Sequence, residues 1–136
     1  MKLNIIEDDY IQNIQNDFHA EYPYLKLVFF KNPHIRGHPS PNKDLLNPDT
    51  PIEEVTMFHQ SGEIDIAATR STFEVEEDFF HRFGLCVQVF RQSGKLWLET
   101  TKTDGWTLKQ QNEKGREEHI LIKQESAPDA DLKDVN

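Results

Sequence analysis

The sequence predicts a two-layer α+β domain with a mostly antiparallel sheet, and three observations predict it. First, VTMFHQSGEIDIAAT (residues 55–69) and VQVFRQSGKLWLETT (residues 87–101) share 6 of 15 aligned positions at a constant offset of 32 residues. Average composition would give roughly one such match by chance. Second, each copy alternates apolar and polar residues around a central Ser-Gly, the pattern of a two-residue hairpin. Third, each copy is followed by a helix-start signal. The expected element order is α-β-ββ-α-ββ-α, built around a repeated ββα unit over about residues 55–84 and 87–115.

Residues 5–21 have helical spacing, with Ile6, Tyr10, Ile14 and Phe18 every fourth residue and Ile11 beside them. Asn4 with Glu7 reads as the N-cap, and Pro23 ends the helix. Tyr24–Lys31 (YLKLVFFK) reads as a strand inside the sheet, with Lys26 and Lys31 guarding an aggregation-prone run. Residues 32–51 hold five of the seven prolines, a spacing that only a long loop tolerates. Counting outward from each Ser-Gly pairs Phe90 with Trp97 and Val89 with Leu98, and in the first copy Phe58 with Asp65. One face of both hairpins is then aliphatic (Val55, Met57, Ile64, Ile66, Val87, Val89, Leu96, Leu98), and the other is polar around Phe58 or Phe90. Ser71 with Glu74 and Thr107 with Gln110 form capping boxes, and Gly84 and Gly115 are expected to close the two helices. His119–Lys123 (HILIK) reads as a short last strand, and the acidic, polar tail 124–136 as disordered.

The 136 residues fit one domain, here residues 1–123. A net charge of −9 and a pI near 5.0 disfavour nucleic acid and anionic membranes as partners. The single Cys86 rules out an internal disulfide and fits a reducing compartment. No apolar run approaches a membrane span, and MKLNIIEDDY turns acidic too early for a signal peptide. A cytoplasmic location is expected.

Among chemical groups, histidines give the sharpest hypothesis. His34 and His38, with Asp44 and Asp49 nearby and His59 as a third ligand, would suit zinc with an open position for water. Pro33, Gly37 and Pro39 oppose the helix that would place His34 and His38 on one face, so exposed loop histidines are the plainer account. Glu77, Asp78 and His81 resemble half of a di-iron helix-bundle site, but surface charges at a helix dipole explain them better. Cys86 has no histidine adjacent in sequence and reads as a half-buried structural thiol. No G-x-S-x-G, P-loop, G-x-G-x-x-G or Cys-x-x-Cys occurs. Phe90 and Trp97 share the face that the aliphatic core does not use, which marks either a partner surface or a face covered by another segment. Trp106, beside Gly105, is expected to anchor the last helix.

The order α-β-β-β-α-β-β-α over roughly residues 5–114, the length and the acidic pI resemble the class I chaperones of type III secretion. The proline-rich insertion departs from that family, and none of its sequence motifs is matched, so no residue role carries over. The resemblance implies a cytoplasmic homodimer that holds an extended client segment. The favoured expectation is a non-catalytic, chaperone-like protein- or peptide-binding domain that contacts its partner through Phe58, Phe90 and Trp97 together with the proline-rich loop and needs no cofactor. The alternative is a small metal-dependent enzyme with zinc on His34, His38 and His59.

Overall fold

A computed structural model describes residues 1–33, 38 and 40–132. The two-layer α+β class holds, with helices over two antiparallel sheets, but the element order differs from the expected one. Strand β1 (Lys2–Ile5) precedes helix α1 (Ile11–Glu21), and strand β2 (Leu25–Phe30) follows. A short helix α2 (Ile52–Val55) leads to β3 (Gly62–Asp65), α3 (Thr72–Phe83), the hairpin β4 (Cys86–Ser93) and β5 (Leu96–Glu99), and finally α4 (Leu108–Leu132). β1 pairs with β3, and the second sheet runs β2-β4-β5. Among the described residues, no helix is long and apolar enough to cross a membrane.

Each correction has a local cause. The N-terminal helix starts at Ile11 because Leu3 and Ile5, alternating with exposed Lys2 and Asn4, form a strand that buries one face. Asn4 is therefore no cap, and Ile6 and Tyr10 stay exposed while Ile11, Ile14 and Phe18 make the true stripe. The first hairpin does not form. Val55 belongs to α2, and the next turn is tied to the end of α3, with Thr56 Oγ1 donating to the Phe83 carbonyl at 2.6 Å. Gly62 opens β3 rather than a turn, and β3 takes β1 as its partner, with Leu3 opposite Ile64.

The second hairpin forms with its turn displaced by one residue. Gly94, at φ 61°, and Lys95 make the turn, so Ser93 faces Leu96, Gln92 faces Trp97 and Phe90 faces Glu99. Glycine at the first turn position suits a type II′ hairpin better than Ser93 would. The displacement leaves Phe90 and Trp97 on one face, but diagonal rather than opposite.

Gly115 does not end α4. A Cβ there would meet Tyr24 Cβ at 2.8 Å and the Tyr24 and Gln92 carbonyls at 3.2 Å, so glycine lets the helix lie close against the sheet. Residues 119–123 are helical, and the tail expected to be disordered from Gln124 continues the helix to Leu132. The capping boxes at Ser71 and Thr107 and the left-handed Gly84 at the end of α3 are as expected. β2 is an edge strand rather than an inner one.

The 32-residue phrase repeat is not a structural one, because its first copy runs from α2 through a loop into β3 while its second holds the β4–β5 hairpin; the backbone instead repeats a βαβ unit in a different register. In the first βαβ unit, Ile11 and Gln12 N–H donate to the Thr50 and Pro48 carbonyls, while Ile52 and Glu53 N–H donate to those of Asp9 and Glu7. The same four bonds recur from Thr72 and Phe73 to Trp106 and Asp104, and from Leu108 and Lys109 to Arg70 and Ala68. Thus β1-α1-β2 with α2 matches β3-α3-β4 with α4. Leu3 pairs with Ile64 in one sheet and Val28 with Gln88 in the other, which places both sheets across one approximate two-fold axis. The core of Leu3, Ile5, Phe18, Leu27, Ile64, Phe79 and their neighbours fills the space between the two copies.

Candidate functional site

α1 ends beside the outer edge of β2 because its polar side chains bond to that edge. Gln15 Nε2 donates to the Leu27 carbonyl at 2.9 Å, and His19 Nδ1 donates to the Leu25 carbonyl at 2.8 Å. Fixing the proton on Nδ1 leaves Nε2 as the free ring nitrogen of His19. Leu45, Leu46 and Pro48, from the proline-rich loop, wall the other side. Between them lies a cleft of about 390 Å³ with Lys26 and Trp97 at one end.

Lys26 is the charged group of this cleft. Strand alternation puts it on the face of Phe90 and Trp97, and its ammonium stands 4.7 Å from the Trp97 ring centre and 5.9 Å from that of Phe90. Burial lowers its pKa from the ordinary lysine value. Among the described residues, no carboxylate pairs with it. The His19 ring meets the Trp97 ring edge-on at 6.0 Å. The arrangement is one cation between two aromatic faces, with an imidazole, two amides and an aliphatic wall around it, suited to an anionic group attached to an apolar body.

Other expected site residues lie apart. Phe58 is 48% exposed on the loop between α2 and β3, off the Phe90/Trp97 face. His59 Nδ1 contacts Glu7 Oε2 at 2.8 Å. His34 falls outside the described residues, and His38 is exposed. Among the described residues, no three His, Cys, Asp or Glu side chains gather as a metal site would require. Asp44 and Asp49 serve the loop through backbone bonds. Trp106 anchors the start of α4 as expected: its carbonyl accepts from Thr72, and its ring lies under the Arg91 guanidinium at 5.5 Å.

A second cleft, of about 240 Å³, occupies the matching place beside α3 and holds Glu76, Glu77, Phe80, His81 and Cys86. Glu76 Oε2 accepts from Val89 N–H at 2.9 Å. Burial pushes the Glu76 carboxyl up to about 8, with Asp104 and Glu77 adding to the rise and the Val89 bond opposing it. Burial also raises the Cys86 thiol, the reverse of what a nucleophile requires. Asp78 is held by Arg70 at 2.6 Å and His81 by Glu77 at 2.8 Å, so this helix cluster is closed into local pairs.

Sequence reasoning misses Lys26 as a site residue, assigning it only to edge protection, and misses Gln15 and His19 altogether. The available signal is a lysine alternating with buried Leu25 and Leu27, on the same face as Phe90 and Trp97. No protein-family model, curated protein or solved structure matches the chain.

Proposed function

We propose that the chain is a non-catalytic binding domain that takes an extended protein segment carrying an acidic group beside an apolar side chain, seated in the Lys26/Trp97 cleft. The observation that carries this is Lys26, a partly desolvated cation with no carboxylate partner among the described residues, on a chain of net charge −9. Holding an ammonium in that setting lowers its pKa, and an incoming carboxylate would restore its charge partner. Trp97 supplies flat apolar area within the cleft, Phe90 flanks Lys26 beside it, and Leu45, Leu46 and Pro48 supply the rest. The expected contact surface thus keeps Phe90, Trp97 and the proline-rich loop, loses Phe58, and gains Lys26 and His19. We place this activity in the cytoplasm, where an unpaired Cys86 stays reduced. The element order behind the resemblance to secretion chaperones is not the observed one, so the cleft alone supports the proposal.

Panning a random peptide display library against the protein tests it. Enriched peptides should combine acidic and apolar residues and bind with measurable heat in calorimetry. Lys26→Glu and Trp97→Ala should each weaken that binding about tenfold or more, as loss of an interface anchor does. No enrichment, or peptides that bind both variants as well as wild type, would overturn the proposal.

A further inference from the structure

The three-stranded sheet has two edges, finished differently. The outer edge of β2 is sealed: the Leu25, Leu27 and Phe29 carbonyls accept from His19, Gln15 and the Leu46 N–H, and Lys31 N–H donates to the Asp44 carbonyl. The outer edge of β5 has no such cover among the described residues. Strand alternation turns the peptide groups of Leu96 and Leu98 toward β4 and those of Trp97 and Glu99 outward. Beside that open edge, Leu96 is 67% and Leu98 41% exposed, on the face of the sheet where α4 lies. An uncovered strand edge with apolar side chains is a template for pairing.

We infer that this edge pairs with β5 of a second copy of the chain, antiparallel about a two-fold axis at Trp97. This register brings outward-facing peptide groups together. Trp97 meets the partner's Trp97 in the ladder, and Lys95, the turn residue just before β5, comes beside the partner's Glu99, once on each side of the axis. Leu96 then lies opposite the partner's Leu98, making one strip of four leucines. Centring the pair on Leu98 instead would set Lys95 opposite Thr101 and Glu99 opposite Trp97, leaving both charges unmatched. Charge complementarity therefore selects the occupant and the register together, on a chain whose net charge of −9 opposes indiscriminate association. The result is a continuous six-stranded sheet with both Lys26/Trp97 clefts on one side, an arrangement that does not depend on what those clefts bind.

Sedimentation velocity of the full chain over a concentration series provides the test. Wild type should show a reversible monomer–dimer equilibrium. Lys95→Glu puts two like-charged pairs into each symmetric dimer and should raise the dissociation constant about tenfold or more; Glu99→Lys should do the same. The double swap, Lys95→Glu with Glu99→Lys, restores both pairs and should return the constant to within about threefold of wild type. Circular dichroism of each variant confirms that the fold is kept, since the exchanged side chains lie at the sheet margin. A wild type that stays monomeric throughout would overturn the inference. So would single variants that dimerise like wild type, or a double swap that fails to recover.

Discussion

Gln15 and Glu76 stand 61 residues apart at matching places on α1 and α3, and each side chain seals the edge of the strand that follows its helix. The amide of Gln15 donates to a carbonyl, that of Leu27; the carboxyl of Glu76 accepts from an amide, that of Val89. From this difference the two clefts diverge. The first holds Lys26 and His19 and is open to an anion, whereas the second holds Glu76 and Glu77 and is closed into local pairs. One backbone plan thus yields two surfaces of opposite character, and only one of them carries a cation lacking a partner among the described residues. The repeated βαβ scaffold supplies stability in both halves, and side chains at a few edge positions decide where binding is available.

The two halves meet in the core, where matching residues should carry matching weight. Phe18 and Phe79 are the same residue at equivalent helix positions, and both are fully buried. Each substitution to alanine should cost about 3–5 kcal/mol by urea unfolding, as deletion of a buried aromatic ring does. The two losses should agree within about 1 kcal/mol if the copies pack alike. A much smaller loss at one position would show that its half is only loosely fitted and that the two-fold plan is one of hydrogen bonds alone.

These matching helices show what the sequence makes legible and what it hides. α3 is readable almost to the residue, because Ser71, Glu74 and Gly84 carry its start and stop in local chemistry. The start of α1 is not, because its N-cap, Tyr10, makes no side-chain bond to the helix, and because Ile6 mimics the helical period while following a four-residue strand. The FHQSGEIDI phrase has the local pattern of a hairpin, yet a distant partner, β1, takes the strand instead. Such competition is decided by non-local burial, which no short window contains. The site suffers likewise. Trp97 and Phe90 are visible as aromatics on a polar face, but Lys26 and His19 join them only once β2 pairs with β4 and α1 folds back over the edge.

The buried carboxyl of the second cleft makes stability depend on pH in the acid-to-neutral range. The folded Glu76 carboxyl titrates near 8 against an ordinary 4.5, so between those values the folded chain keeps a proton that the unfolded chain has released. Its contribution to stability is therefore full below about pH 4.5, falls as pH rises through the window, and levels off above about 8. Glu76→Gln supplies an uncharged oxygen for Val89 N–H, much as Gln15 supplies an uncharged donor in the other half. It should remove that slope and stabilise the protein by a few kcal/mol at pH 9, since each tenfold difference in proton affinity between folded and unfolded chain is worth roughly 1.4 kcal/mol. The readout is the difference in urea midpoint between variant and wild type across pH 4–9, which cancels groups that titrate alike in both. An unchanged difference would mean that Glu76 ionises without penalty and that the two clefts differ less than their geometry indicates.

The smallest effect gives the sharpest discrimination, because it asks whether the two edge positions accept the same chemistry. An amide has both a donor and an acceptor, so glutamine can serve either strand edge; an ionised carboxylate can only accept. Glu76→Gln should therefore be tolerated, whereas Gln15→Glu should not, since it sets a charged oxygen against the Leu27 carbonyl in place of a donor. The expected loss is about 1–2 kcal/mol at pH 7, the range for leaving a part-buried carbonyl without its bond. Acidification should recover most of it, because a protonated carboxyl regains an O–H to donate. Urea midpoints for Gln15→Glu at pH 7 and pH 4 provide the check. A loss of similar size at both values would assign the effect to packing of α1 on β2, and the donor–acceptor exchange between the halves would then carry no energetic weight.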